Sequence, residues 1–173
     1  PTSEGTVLIR CRAVSASPAA NKAGIAEVCP LVGASHYPYS DGSAYCSFFR
    51  TARVDSISLS GSVDRTNWHW LVVRTNAGSG WEMIQAKDDG TLYSVSTAAH
   101  QAFTSTGQTV GTSTGTAFWE GDIDRFLLFS SRLNDAAIQA IIAGGNGASP
   151  LVRYEFSSDA GGVFTDASGN ARD

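Results

Sequence analysis

The sequence predicts an all-β chain, one antiparallel β-sandwich carrying a single short helix near residues 135–143. Three observations lead there. Short segments with period-two alternation of apolar and polar residues follow one another along the chain. They are separated by turns rich in Gly, which supplies 18 of the 173 residues, and in Ser and Thr. Only one stretch reads as a helix, with a capping residue before it and a Gly pair after it. A chain of this length forms one core, so residues 1–173 read as a single domain.

The first strand spans Thr6–Val14, and others follow at Gly24–Val32, Ser43–Arg50, Ser56–Ser60 and Asn67–Thr75. Trp81–Lys87 and Thr91–Ser96 flank Asp88-Asp89-Gly90 and read as a hairpin, because Gly supplies the positive φ that a tight turn needs. Ala99–Thr116 reads as loops around one short strand at Gln108–Gly111, and the apolar run Ile123–Phe129 reads as a central strand. The helix spans Asp135–Ala143, with Asn134 as its N-cap and Leu133 placed to pack on Ile138 as a hydrophobic staple. Its third position is Ala137 and not Glu or Gln, so no reciprocal capping box forms and the helix must depend on tertiary packing. Leu151–Phe156 reads as a last strand, Ser157–Asp173 as loop, and His36–Gly42 as an exposed loop.

Charge and cysteine content exclude several functions. The formal charge of −4 comes without a Lys/Arg cluster, so nucleic acid is not an expected partner. No apolar run of about 18 residues exists, so no membrane-inserting helix is expected. The start Pro1-Thr2-Ser3-Glu4-Gly5 lacks the basic and apolar regions of a signal peptide, and a leading Pro suits removal of an initiator Met in the cytosol. Cys11, Cys29 and Cys46 form no C-x-x-C pair and have no His at zinc-ligand spacing. Alternation places Cys11 with Val7 and Ile9, and Cys46 with Phe48, as small core residues.

Three stretches resemble the laminin-G-like branch of the concanavalin A-like lectin/glucanase superfamily, whose fold is a jelly roll. Asn67-Trp68-His69-Trp70-Leu71-Val72-Val73 with Asp89-Gly90-Thr91-Leu92-Tyr93 is similar to one pair of its strands. Phe118–Phe129, followed by Arg132-Leu133-Asn134-Asp135-Ala136-Ala137-Ile138, is similar to its ending, and this is the more specific match. Leu151–Phe156 with Asp166-Ala167-Ser168-Gly169-Asn170 resembles the motif that opens the family's domain, yet here it closes the chain, so residues 151–173 imply a circular permutation. The alternative is the start of a second copy, which would expose Tyr154 and Phe156. No counterpart of one family segment is visible, so an uncovered sheet edge, and with it a homo-oligomer or docking surface, is expected.

Four constellations bear on chemistry. Glu120-Gly121-Asp122-Ile123-Asp124 resembles the Glu-x-Asp-x-Glu of laminarinase-type glucanases, but it ends in the shorter Asp124, so no catalytic residue is assigned and a β-glucanase is the minor alternative. The resemblance implies calcium as a cofactor, with Asp166, Asn170 and Asp124 as oxygen ligands. The competing reading of 166–170 is a hydrogen-bonded turn. His36, Tyr37, Tyr39 and Asp41 put aromatic rings and polar groups in one segment and are the expected glycan-binding residues, with pinning of the loop as the competing role. Trp68, Trp70, Trp81 and Trp119 lie in or beside strands and read as core more than as platforms, and His36, His69 and His100 show no paired spacing with Ser or Cys.

The resulting expectation is a non-catalytic module, with two readings open. In one it recognises a glycan or cell surface through loops at one end of the sandwich. In the other it is a virion structural protein without a ligand, made in the cytosol and decorating a virus capsid or tail lattice.

Overall fold

The computed structural model describes residues 4–13, 23–24, 26–27, 36–40, 45–49, 57–59, 66–75, 81–97, 109–110, 112–113, 117–118, 121–145, 149–156 and 167–170. The strands are β1 (Thr6–Ala13), β2 (Ala23–Gly24), β3 (Ala26–Glu27), β4 (His36–Ser40), β5 (Tyr45–Phe49), β6 (Ile57–Leu59), β7 (His69–Thr75), β8 (Trp81–Lys87), β9 (Leu92–Thr97), β10 (Thr109–Val110), β11 (Thr112–Ser113), β12 (Ala117–Phe118), β13 (Gly121–Phe129) and β14 (Val152–Glu155). One helix, α1, spans Asp135–Ile142. A six-stranded antiparallel sheet runs β14-β13-β1-β7-β8-β9, and a four-stranded sheet runs β2-β4-β5-β6. Two short pairs, β3–β10 and β11–β12, make up the other described strands. This is the all-β sandwich with a single short helix that the sequence predicts.

The six-stranded sheet is apolar on both faces, and alternation along β1 shows why. Val7, Ile9, Cys11 and Ala13 join Leu71, Val73, Met83, Phe126, Leu128 and Val152 in one buried cluster. Leu8, from the opposite face, joins Trp70, Val72, Ile84, Ala86, Leu127 and Phe129 in a second, together with Leu133, Ile138 and Ile141. The second cluster is the helix-bearing face. The three aliphatic side chains brought by α1 and its lead-in are each worth about 1.5–3 kcal/mol when buried, which is what holds an eight-residue helix that has no capping box.

Both ends of α1 are chemically closed. The Asn134 side chain accepts from the Ala137 N–H at 2.8 Å. At the other end Gly144, at φ 78°, lets its own N–H reach the Ile141 carbonyl while the Gly145 N–H reaches the Ala140 carbonyl, the paired bonds of a Schellman motif. A polar network ties the N-terminal end to the sheet. The buried Thr6 hydroxyl donates to the Ser131 carbonyl and accepts from the Leu133 N–H. Arg74 donates to Glu82, Asp135 and the Leu133 carbonyl. Burial works against the Arg74 charge, but its bonds to Glu82 and Asp135 more than offset that, so its pKa is held above the usual value.

The hairpin also forms as expected. Gly90, at φ 87°, donates to the Lys87 carbonyl, and Lys87 donates to Thr91, the type I turn with a Gly bulge of a three-residue loop. The Thr91 N–H adds a bond to Asp89 at 2.8 Å.

One assignment needs correction. His36–Ser40 is a strand and not a loop: β4 pairs with β5 from His36↔Phe49 to Ser40↔Tyr45 and with β2 at Ser40 and Tyr39. Pro38 and the Ser40-Asp41-Gly42 run carry turn chemistry, but the aromatic-rich segment has enough strand preference to form a ladder. Within Gly24–Val32, Gly24 belongs to β2 and Ala26–Glu27 form β3, and the other positions lie outside the described residues.

Residues 151–156 are integrated into the sheet. β14 pairs with β13 from Leu128↔Val152 to Arg125↔Glu155, and Tyr154 and Phe156 pack against the first core cluster. Its outer edge is partly covered: Ala167 N–H donates to Arg153, Ser168 Oγ to Leu151, and Asn170 Nδ2 to Pro150 and Leu151. Edge carbonyls that would otherwise be open for pairing are met by this turn. Among the described residues no helix is long and apolar enough to cross a membrane.

Candidate functional site

A cleft of about 280 Å³ opens where α1 ends beside the β13–β14 edge. Leu127, Phe129 and Ile141 form its apolar floor. Gly144 and Gly145 of the helix-ending loop stand on one side, Ser149, Pro150, Ala167 and Ser168 on another, and Arg125 and Arg153 at the margin. The register explains the grouping. Arg125, Leu127 and Phe129 alternate onto the helix-bearing face of β13, and Arg153 is paired directly with Leu127. The Gly pair permits the close approach of the loop, since a Cβ on Gly145 would lie 2.8 Å from the Ala140 carbonyl oxygen.

Both arginines share one carboxylate. Arg153 donates to Glu155 through Nε and Nη2, and Arg125 Nε lies 3.5 Å from the same oxygen. At that distance and geometry Arg125 Nε makes no hydrogen bond, and its guanidinium otherwise sits 5.7 Å from the Trp70 ring. The cleft thus combines an apolar base, guanidinium groups at its margin, and the loop that ends a helix. Those are the groups a small polyhydroxylated molecule can use.

A second polar cluster on the same face is closed on itself. A bulge between Arg10 and Cys11 leaves Asp124 beside Arg125 and opposite Arg10, which bonds Asp124 at 2.8 Å and Asp88 at 2.7 Å. Arg12 bonds Asp122 at 2.7 Å, and both guanidiniums lie 4.8 Å from the half-buried Trp68 ring. Hydrogen bonding to Asp88, with Asp124 in support, holds the Arg10 pKa above its usual value despite partial burial. Asp122 and Asp124 are therefore both engaged by arginines on the neighbouring strand. Neither aspartate lines the cleft.

The remaining site residues disperse. His36, Tyr37 and Tyr39 belong to β4 of the four-stranded sheet, and Asp41 lies outside the described residues. Asp166 is likewise outside them. Asn170 bonds Pro150 and Leu151 near the Leu128 end of the β13–β14 ladder, while Asp124 adjoins the Arg125 end, roughly 13 Å away along the strand. Among the described residues no group of three His, Cys, Asp or Glu could hold a metal ion. Trp70 is buried as expected for core, and Trp119 and the Trp81 side chain lie outside the description. Sequence spacing missed two features. His69 Nε2 meets Cys11 Sγ at 3.7 Å inside the core, a contact made by cross-strand pairing of distant residues. The cleft itself needs β13, β14, α1 and the 167–170 turn together, and its only sequence signal is the Gly144-Gly145 pair after a helix.

No protein-family profile and no curated protein sequence matches the chain. Solved structures do. A protein from Bacteroides ovatus described as carbohydrate-binding superposes with a TM-score of 0.68 over 98% of this chain at 11% identity; the chain spans 50% of that protein's length. The carbohydrate-binding module CBM40 of the Ruminococcus gnavus IT-sialidase, solved bound to α2,3-sialyllactose, gives 0.59 over 82% of this chain and 84% of its own, at 13% identity. The fold is the concanavalin A-like jelly roll. The Limulus polyphemus pentraxin, with a TM-score of 0.57, 13% identity and coverage of 97% of this chain and 81% of its own, shares it. At these identities the likeness is one of fold.

Proposed function

We propose that this chain is a non-catalytic carbohydrate-binding module and that the cleft between α1 and the β13–β14 edge holds the sugar. The observation that carries the reading is the composition of that cleft. Its floor is apolar, its margins offer guanidinium donors and backbone acceptors, and its volume is near the lower limit of about 300 Å³ for small-molecule sites, the scale of one sugar ring. Jelly-roll neighbours described as binding carbohydrate and sialyllactose support it. The engagement of Asp122 and Asp124 by Arg12 and Arg10 supports a role without glycosidic cleavage, since a retaining pair needs two carboxyl groups free to reach one bond.

A glycan array on the purified chain, paired with an assay for newly released reducing ends, tests the proposal. Selective retention of a subset of glycans without release is the expected result. An array that stays blank, or sugar release from any retained glycan, contradicts it.

A further inference from the structure

Building on the carbohydrate-binding reading, we infer that the cleft selects an acidic saccharide, one bearing a carboxylate, and holds it without a metal ion. Among the described residues, two guanidiniums, Arg125 and Arg153, stand at the margin beside one carboxylate, Glu155. Glu155 is committed to Arg153 by two donors. Arg125 is left with one 3.5 Å ion-pair contact, its Nε is buried without a hydrogen-bond partner, and its side chain is 28% exposed. A half-buried cation at the margin of a cleft favours an anion, and the planar fork of a guanidinium matches two carboxylate oxygens at once.

The opposite wall has the reverse character. The helix-ending loop at Gly144-Gly145 lies at the negative pole of the α1 dipole, which opposes an anion but suits hydroxyl donors. A sugar acid meets both demands in one ring, with its carboxylate toward Arg125, its hydroxyls toward the loop, and its C–H face on Leu127, Phe129 and Ile141. A simple carboxylate meets only the first, and a neutral sugar only the second.

Calorimetric titration of the whole chain with D-glucuronate, D-glucose and propionate, each with and without chelator, tests the inference. The expected result is glucuronate binding at least about tenfold tighter than either comparator, unchanged by chelator and weakened by added salt. Arg125→Gln should reduce glucuronate affinity about tenfold at unchanged melting temperature, with Arg125→Lys restoring part of it. Equal affinity for glucose and glucuronate overturns the acidic preference while leaving the carbohydrate reading intact. Equal affinity for propionate and glucuronate overturns the sugar requirement. Loss of binding with chelator overturns the metal-free mode. Failure of all three probes to bind overturns the inference, and the array then decides the carbohydrate reading separately.

Discussion

Replacing Glu82 with Leu removes the acceptor that holds Arg74 in the sheet, and the structure sets the size of the effect. Arg74 and Glu82 are 5% and 10% exposed, and Glu82 also receives Arg132 at 3.3 Å. Breaking a fully buried pair costs about 3–5 kcal/mol, because the surviving charge is left without compensation. Here Arg74 keeps the Leu133 carbonyl and the solvent-facing Asp135, so the expected loss is about 2–3 kcal/mol. For a chain of this size that lowers the melting temperature by roughly 4–12 °C. Arg74→Met with Glu82→Leu removes both charges and keeps apolar volume, and should recover at least half of the loss. Thermal and urea unfolding of the wild type, both single variants and the double variant give the coupling energy. A double variant as unstable as the sum of the singles would refute the idea that the uncompensated charge causes the damage.

Three further outcomes follow from the ends of α1 and from the hairpin. Asn134→Ala should cost about 1 kcal/mol through loss of the Ala137 bond, read as a fall of a few degrees in melting temperature; no change would mean the cap is dispensable. Gly145→Ala forces a Cβ against the Ala140 carbonyl, so it should destabilise by about 1–3 kcal/mol and weaken ligand binding at the cleft, whereas full affinity would remove the loop from the site. The Asp89 carboxyl accepts from the Thr91 backbone and side chain, so its pKa lies below the usual carboxylate value. Its contribution to the hairpin is present above the unfolded-state pKa and is lost as pH falls through the folded-state pKa; an NMR titration that finds Asp89 at or above the ordinary carboxylate range would contradict this.

Much of the fold was legible because local chemistry and tertiary structure agree. Alternation along Thr6–Ala13 assigns both faces of β1, Asp89-Gly90 sets the hairpin, and Asn134 with Leu133 starts the helix where the structure starts it. β4 was hidden because Pro38 and the residues after Tyr39 carry turn signals, and pairing on two sides outweighs them. The site was less legible for a geometric reason. Arg125, Ile141, Gly145, Arg153 and Ser168 are distant in the chain and mean nothing as a motif; only antiparallel pairing of β13 with β14 and docking of α1 make them neighbours. Motif reasoning instead favoured residues that are adjacent in sequence, such as Asp122 and Asp124, whose partners Arg12 and Arg10 lie more than a hundred residues earlier.

Chemical-shift mapping on the whole chain, with a glycan selected from the array as titrant, tests the central claim most directly. The account predicts that the largest amide shifts fall on Gly144, Gly145, Arg153 and Ser168, around the cleft. Shifts confined to His36–Ser40, or to any surface away from α1 and β14, would contradict it.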